Sequence, residues 1–318
     1  MPPILRLLAD DLTGALDSAA RFVPLTGPIP VVWSGPIPAG TVAIDSGTRD
    51  LDATEAAVAM RRFTGVLAGG DIAFKKIDSL LRGHVVLELD ACRAGFATCV
   101  LAPAFPFQGR ITRGGRQLRR DGDGWRDVWG ELPLLDAETD ADLDAIVARY
   151  STGDASVLWV GTAGLAGALA GRRPVPCPVL SGPVLGLIGS DHPVTAIQLD
   201  ALGPLHRRLP GPPSRLPAAF SLVLPATADR ATATLAIAAA FASLLAEIPH
   251  PGTLVVTGGA TLRSLCEVLG ATGLLVDGEV EPGVPTAILR GGDWDGQRIV
   301  SKSGAFGDPG LLVRLLRL

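Results

Sequence analysis

The sequence predicts two α/β domains with largely parallel sheets and a ligand cleft between them. Short apolar runs alternate with helix-length segments along nearly the whole chain, the pattern of strands joined by helical crossovers. At 318 residues there is enough chain for two cores. Residues 174–183 hold four prolines in ten positions, and the alternation restarts beyond them. We therefore divide the chain into residues 1–173, a Pro-rich linker at 174–183 and residues 184–318.

The first apolar run, within residues 5–9, delivers two adjacent carboxylates, Asp10 and Asp11, into a small-residue turn. Gly14, Ala15, Leu16, Ala19, Ala20 and Phe22 then suit a helix packed back on that strand. In open α/β sheets the crevice at the carboxyl ends of strands is where ligands bind. One acid can cap the helix by accepting from its free N–H groups. Its neighbour, on the opposite side of an extended segment, is left to face the crevice.

Residues 29–33 and 42–45 read as strands, the second running into the polar stretch Ser46-Gly47-Thr48-Arg49. Residues 52–67 read as a helix opened by a reciprocal cap between Asp52 and Glu55. The strand at 72–75 feeds Lys75-Lys76-Ile77-Asp78-Ser79-Leu80-Leu81-Arg82-Gly83-His84, followed by a helix at 85–93. Polar groups at Lys76, Asp78, Ser79 and Arg82, interrupted by apolar residues, suit side chains fixed by packing and aimed at a ligand; the alternative is a structural ion pair between Asp78 and a nearby cation. His84 has no nucleophile beside it and reads as structural. After a strand at 98–102, a proline-stiffened loop presents Gln108 and Arg110 at low entropic cost. Residues 111–129 read as hairpins and loops at an edge. A helix at 140–150 and a strand at 156–160 lead into the glycine-rich 161–167, near the dinucleotide fingerprint but with no acidic residue about 20 positions on, so tight helix packing is preferred.

Beyond the linker we expect strands at 184–189, 221–224 and 253–257, helices at 195–208, 229–247 and 262–269, a Pro-rich surface loop at 204–217 and several strands over 274–301. Three turns could hold phosphates: Gly189-Ser190-Asp191-His192, Thr257-Gly258-Gly259-Ala260-Thr261 and Ser301-Lys302-Ser303-Gly304. The P-loop pattern of glycines followed by Gly-Lys-Ser/Thr is absent.

Net charge is −4. That gives no general attraction to nucleic acid or anionic membrane, so an anionic substrate must be held by locally placed cations. Of 28 basic residues only Lys75, Lys76 and Lys302 are lysines, all within these motif-like stretches. A compact ammonium beside a phosphate or carboxylate is not replaced by a planar fork without loss. The apolar run before Asp10 is too short for a secretory signal. Residues 231–246 are apolar but Ala-rich and closed by Asp229, Arg230 and Glu247, which suits a buried helix rather than a membrane span. Cys92, Cys99, Cys177 and Cys266 show no metal-ligand spacing and read as small core residues. A cytoplasmic protein with no nucleic-acid or membrane partner and no protein-held metal is expected; a homo-oligomer is left open.

Taken together, Asp10-Asp11-Leu12-Thr13-Gly14, Lys76-Ile77-Asp78-Ser79-Leu80-Leu81-Arg82, Ala102-Pro103-Ala104-Phe105-Pro106 with Gly109-Arg110, Thr257-Gly258-Gly259-Ala260-Thr261 and Lys302-Ser303-Gly304-Ala305-Phe306-Gly307 resemble the four-carbon acid sugar kinase family. The resemblance spans both halves in the family's order. It implies an ATP-dependent kinase for acids such as threonate, erythronate or their 3-oxo forms. The acid would bind the N-terminal domain and ATP the C-terminal one, with Mg2+ on the phosphates and transfer to the terminal hydroxyl across the cleft. It implies substrate contacts at Thr13, Lys76, Asp78, Ser79, Arg82 and Arg110, with Asp11 or Asp10 as the base. Nucleotide contacts are implied at Ser190, Gly258, Gly259, Ala260, Thr261, Gly283 and Lys302. The sequence departs from the family pattern at Leu16, Leu80, Asp191, His192 and Ala260. Two other readings stand beside this one: a dehydrogenase holding a dinucleotide at 161–167, and a non-catalytic sugar-acid-binding protein.

Overall fold

The structure, a computed structural model, describes residues 1–63, 65–121, 124–128, 132–152, 156–210, 216–222 and 229–317. It divides into two compact units, Met1–Val175 and Pro176–Leu318. Of the segments expected above, Thr64, Gly122, Asp123, Trp129, Val223, Leu224 and positions 211–215 of the Pro-rich loop lie outside the described residues.

The first unit runs β1 (Leu5–Ala9), α1 (Leu12–Thr26), β2 (Ile29–Val32), β3 (Val42–Asp45), α2 (Ala53–Met60), β4 (Ile72–Lys76), α3 (Val85–Cys92), β5 (Thr98–Ala102), β6 (Arg110–Arg113), β7 (Arg116–Asp121), β8 (Gly124–Val128), α4 (Asp140–Tyr150), β9 (Val157–Gly161) and α5 (Ala163–Leu169). Six strands form a parallel sheet in the order β2-β3-β1-β4-β9-β5. From β1 the chain goes out to β2, comes back inward to β3 beside β1, and then crosses to add β4 on β1's other side. That reversal makes the carboxyl end of β1 the switch point at which α/β sheets open a crevice. Register sets Asp45 beside Ala9 on one side and Lys76 on the other.

Both faces of this sheet are covered, which is why its strands are almost continuously apolar. Leu8, Ile44 and Ala73 pack with Met60, Phe63, Val85 and Leu89 of the α2 and α3 side. On the other side Phe22 of α1 meets Phe74 of β4 edge to face, centroids 5.6 Å apart. Because neighbouring side chains on a strand point opposite ways, β4 sends Lys75 toward α3 and Lys76 toward α1. The antiparallel sheet β6-β7-β8 is fastened to the unit by Gln117, whose Nε2 donates to the carbonyls of Ser79 at 2.9 Å and Pro103 at 3.3 Å.

The second unit runs β10 (Val184–Ile188), α6 (Pro193–Leu202), β11 (His206–Leu209), β12 (Ala218–Leu222), α7 (Arg230–Glu247), β13 (Thr253–Thr257), α8 (Gly259–Val268), β14 (Gly273–Glu281), β15 (Val284–Arg290), β16 (Arg298–Lys302) and α9 (Leu311–Leu316). Its strands lie in the order β11-β12-β10-β13-β16-β15-β14. They are parallel from β11 to β16, and β15 is antiparallel to both neighbours. Val184, Ile188, Val255 and Val300 form a core with Leu311, Leu312 and Leu315 of α9.

Several expectations are corrected. The helix expected at 195–208 ends at Leu202, where Gly203 and Pro204 stop it, and His206–Leu209 forms an edge strand instead. The helix expected at 52–67 ends at Met60 and passes into a short 3-10 turn. The helix expected from residue 262 starts at Gly259, so Ala260 and Thr261 lie in its first turn. Residues 176–183 are not a free connector: Pro176 O accepts from Glu279 N at 2.9 Å, and Ser181 O accepts from Thr253 Oγ1 at 2.8 Å. Among the described residues no helix is long and apolar enough to cross a membrane.

Candidate active site

At the carboxyl end of β1, Asp11 is the N-cap of α1, with extended backbone (φ −145°, ψ 158°), and its Oδ1 accepts from Gly14 N at 3.0 Å. Asp10, expected to face the crevice while Asp11 caps, is instead almost wholly buried and gripped by Arg49, whose Nε and Nη2 donate to its two oxygens at 2.7 Å each. The same Nη2 lies 2.7 Å from Asp11 Oδ1, and Nη1 lies 3.8 Å from Asp78 Oδ1. Three carboxylates thus converge on one guanidinium. Asp11 keeps 22% of its side chain exposed against 3% for Asp10, so it is the member of the pair a ligand can reach.

Their titration differs accordingly. Burial works against the charge on Asp10, but Arg49, Lys75 and Lys76 outweigh it and hold its carboxyl below the ordinary range. For Asp11, burial together with the negative charges of Asp10 and Asp78 prevails over Arg49 and Lys76, and its carboxyl is pushed up. One acid stays firmly ionised while its neighbour is made more basic, the division a base requires.

Lys76 stands on the α1 side, its Nζ donating to Ile77 O at 2.8 Å. A Cβ added to Gly14 would lie 2.9 Å from that Nζ and 2.5 Å from Asp11 Oδ1. The glycine is thus what lets ammonium and carboxylate crowd the start of α1. Thr13 Oγ1, also there, is buried without a hydrogen-bond partner among the described residues. On the α3 side, Lys75 Nζ pairs with Glu88 Oε2 at 2.6 Å, both fully buried. Glu88 also accepts from Thr48 Oγ1, and Ser46 Oγ, 2.8 Å from Thr48 Oγ1, shares its single proton between that hydroxyl and Ala9 O at 2.9 Å. This chain of bonds fixes the 46–49 turn that carries Arg49.

Asp78 is occupied by its own turn. Arg82 Nε and Nη2 each donate to it at 2.8 Å, and Leu80 N donates at 3.0 Å, with Leu81 left-handed at φ 55°. Burial alone would raise its pKa, but the Arg82 hydrogen bond and Arg49 hold it far below the usual carboxylate range. This is the ion pair that the sequence left as the structural alternative. Ser79 is half-buried and offers its carbonyl to Gln117. Arg110 Nη1 rests on Gln108 O, while its Nε is buried without a partner. Arg49 was noted in the sequence only as part of a polar strand end; nothing local there says that its fork reaches back to Asp10.

In the second unit, adjacency of β10, β13 and β16 brings the three expected turns together. Gly189 N donates to Thr257 O and Gly258 N to Lys302 O, each at 3.0 Å. Gly258, at φ 103°, is the N-cap of α8 and supplies no side chain, leaving the first N–H groups of the helix, from Gly259, Ala260 and Thr261, open to an anion. Gly304 lies against the side chain of Ser190, and Gly283 against the ring of Phe306. Lys302 is turned into this framework: its Nζ donates to the carbonyls of Ser303 at 2.9 Å and Phe306 at 3.1 Å, and burial pushes its pKa down to about 8. Its ammonium shapes the 303–306 turn.

The glycines at 161–167 serve packing, since a Cβ on Gly164 would lie 2.6 Å from Ala104 O and 3.1 Å from Leu143. Among the described residues no group of three or more His, Cys, Asp or Glu side chains could hold a metal ion. The three carboxylates of the first unit already share Arg49.

Residues 5–123 match the family described as a sugar-binding N-terminal domain, and residues 214–312 that described as a nucleotide-binding C-terminal domain. A D-threonate kinase of Cupriavidus necator is 30% identical, over 96% of this chain and 95% of that one. A D-threonate kinase of Bordetella bronchiseptica is 27% identical over 98% and 96%. The fold is shared with a Salmonella typhimurium LT2 protein (TM-score 0.71, 20% identity, 98% of each chain) and a Haemophilus influenzae protein (TM-score 0.66, 19% identity, 96% and 97%). With full-length relatives of this kind and motifs in the same order along the sequence, the chain belongs to the four-carbon acid sugar kinase family.

Proposed function

We propose that this protein is an ATP-dependent kinase that phosphorylates the terminal hydroxyl of a four-carbon sugar acid, with D-threonate as the first candidate acceptor. The observation that carries the reading is Asp11, a carboxylate made more basic by its surroundings, still reachable, and set at the strand end where ligands bind. Phosphoryl transfer asks a protein chiefly for alignment and charge neutralisation. Asp11 accepts the proton of the acceptor hydroxyl as its oxygen bonds to the γ-phosphorus, and ADP leaves with the electrons of the broken P–O bond. Asp10, held by Arg49, keeps that guanidinium in place beside Asp11. Thr13, Lys76, Asp78 and Ser79 line the acceptor's hydroxyls, Arg110 supplies positive charge for its carboxylate, and Arg82, held on Asp78, adds its charge from the neighbouring turn.

The nucleotide phosphates fit the uncapped start of α8 at Gly258, Gly259, Ala260 and Thr261, with Ser190 and Gly283 alongside and Lys302 holding the adjoining turn. Mg2+ arrives as part of the nucleotide substrate and needs few protein ligands. The test is an ADP-release assay over threonate, erythronate and 3-oxo-tetronate stereoisomers. Turnover of at least one acid by the wild type, and a kcat about 10²–10⁴-fold lower for Asp11→Asn with little change in acceptor KM, is expected. Near-normal turnover by Asp11→Asn would remove Asp11 as the base, and ADP release with none of the acids would remove the kinase reading.

A further inference from the structure

We propose that Arg110 and Arg119, opposite one another on β6 and β7, form the seat for the acceptor's carboxylate, which makes Arg119 a specificity-determining residue. The proposal rests on the kinase reading above and names a part of that site.

Arg110 pairs in register with Arg119, and Arg119 in turn with Arg126 on β8. Residues directly opposite in an antiparallel pair share a face, and like charges placed there destabilise the sheet. The same face carries Thr112 and Gln117, both fully buried. Gln117 reaches the carbonyl of Ser79, so this face is turned toward the 78–82 turn. The other face of the hairpin also sets two arginines opposite each other, Arg113 and Arg116, and there each has a carboxylate: Glu138 at 2.5 Å for Arg113, Asp127 for Arg116. On the inner face the compensation is incomplete: Asp121 also falls on it, at the end of β7, and the Asp78 carboxylate acts on Arg110 from the 78–82 turn, against arginines at 110, 119 and 126. Among the described residues Arg110 has a buried Nε with no partner, and Arg119 makes no ion pair or side-chain hydrogen bond.

Arg82 is not an equivalent candidate. Both arms of its fork are taken by Asp78 at 2.8 Å, and a carboxylate would have to displace that contact. Neither Arg110 nor Arg119 has its fork held by a carboxylate among the described residues, Arg110 giving only Nη1 to Gln108 O, and a carboxylate has two oxygens with room for donors from both. The positive charge that this face leaves unpaired at Arg110 and Arg119 is therefore matched by the carboxylate of the substrate.

The experiment measures steady-state kinetics for Arg119→Gln, Arg119→Lys and Arg116→Gln, with a four-carbon sugar acid and the matching primary amide as acceptors, and calorimetric titration of the acid in the absence of nucleotide. Arg119→Gln should raise the KM for the acid about 10- to 100-fold, the range for losing charge-assisted bonds. Its kcat at saturation, its KM for ATP and its constants with the amide should change less than about 3-fold. Arg119→Lys should fall between, and Arg116→Gln, on the outer face, should match the wild type. An unchanged acid KM in Arg119→Gln, or equal losses with acid and amide, overturns the seat while wild-type turnover leaves the kinase reading intact. If no acid is phosphorylated but acid binding by calorimetry weakens in Arg119→Gln, the kinase reading fails and the seat stands. Absence of acid binding by the wild type overturns the seat outright.

Discussion

Alanine at position 14 would bring its Cβ to 2.5 Å from Asp11 Oδ1 and 2.9 Å from Lys76 Nζ. Ordinary contact begins near 3.4 Å, so the carboxylate oxygen must retreat by about 0.9 Å and the ammonium by about 0.5 Å. Both are ends of side chains, so the backbone of α1 need not move. Retreat of Oδ1 weakens the cap bond from Gly14 N and the contact with Arg49 Nη2, a loss of about 1 kcal/mol for the cap. Alanine within a helix returns about 0.5–1 kcal/mol relative to glycine. Stability measured by urea unfolding should therefore stay within about 1 kcal/mol of wild type. Chemistry should not: displacing a reacting group by about 1 Å costs about 10²-fold. ADP-release kinetics on Gly14→Ala should show kcat down about 100-fold in a protein that still folds. A variant with kcat within about 3-fold of wild type would refute the claim that Gly14 exists to crowd Asp11 against Lys76.

Four further outcomes follow from the geometry. Because the Asp11 carboxyl is raised, kcat/KM should fall on acidification with a midpoint above the ordinary aspartate value near 3.9; a midpoint at or below it removes Asp11 as the titrating base. Asp78 titrates lower folded than unfolded, so it stabilises the fold above pH about 3.9 and loses that contribution as pH falls through its lowered pKa. Unfolding of Asp78→Asn against wild type should accordingly differ at pH 7, with the gap narrowing in acid; a gap that widens in acid contradicts the Arg82 pairing. Glu88→Gln leaves the buried Lys75 ammonium without its counter-charge and should cost about 3–5 kcal/mol in urea unfolding, with a loss under about 1 kcal/mol counting against a tightly paired interior. Gly258→Ala forces a side chain into φ 103° and should raise the KM for ATP about tenfold while leaving the acid KM alone; equal effects on both substrates would argue against a nucleotide site at α8.

The sequence made the sheet of the first unit legible because its signals were local. An apolar run, two acids and a small-residue turn marked the end of β1, and the reciprocal cap at Asp52 and Glu55 is present in the structure. What escaped was set at a distance. Arg49 lies 39 residues from Asp10, and only the parallel register of β1 and β3 brings them together. Asp78 and Arg82 carry the right chemistry for a ligand, yet four residues apart in a tight turn they satisfy each other. The edge strand His206–Leu209 was hidden because four residues, two of them arginines, carry no period-2 apolar pattern. Lys302 reads as a phosphate cation in sequence, but its buried stem turns the ammonium onto backbone carbonyls.

The consecutive lysines of β4 have a bearing on how the sheet assembles. Side-chain direction alternates strictly along a strand, so a slip of one residue in the pairing of β4 with β1 would exchange the two ammonium groups between layers. Lys75 would leave Glu88 and enter the crowded space over Gly14, while Lys76 would face the apolar layer around Leu89 and Val85. An apolar pair at these positions could tolerate such an error, since either would be content in grease. Two cations, each with a counter-charge on one side alone, make the mispaired strand electrostatically costly and so act as a proofreading device for the sheet that carries the Asp10-Asp11 turn.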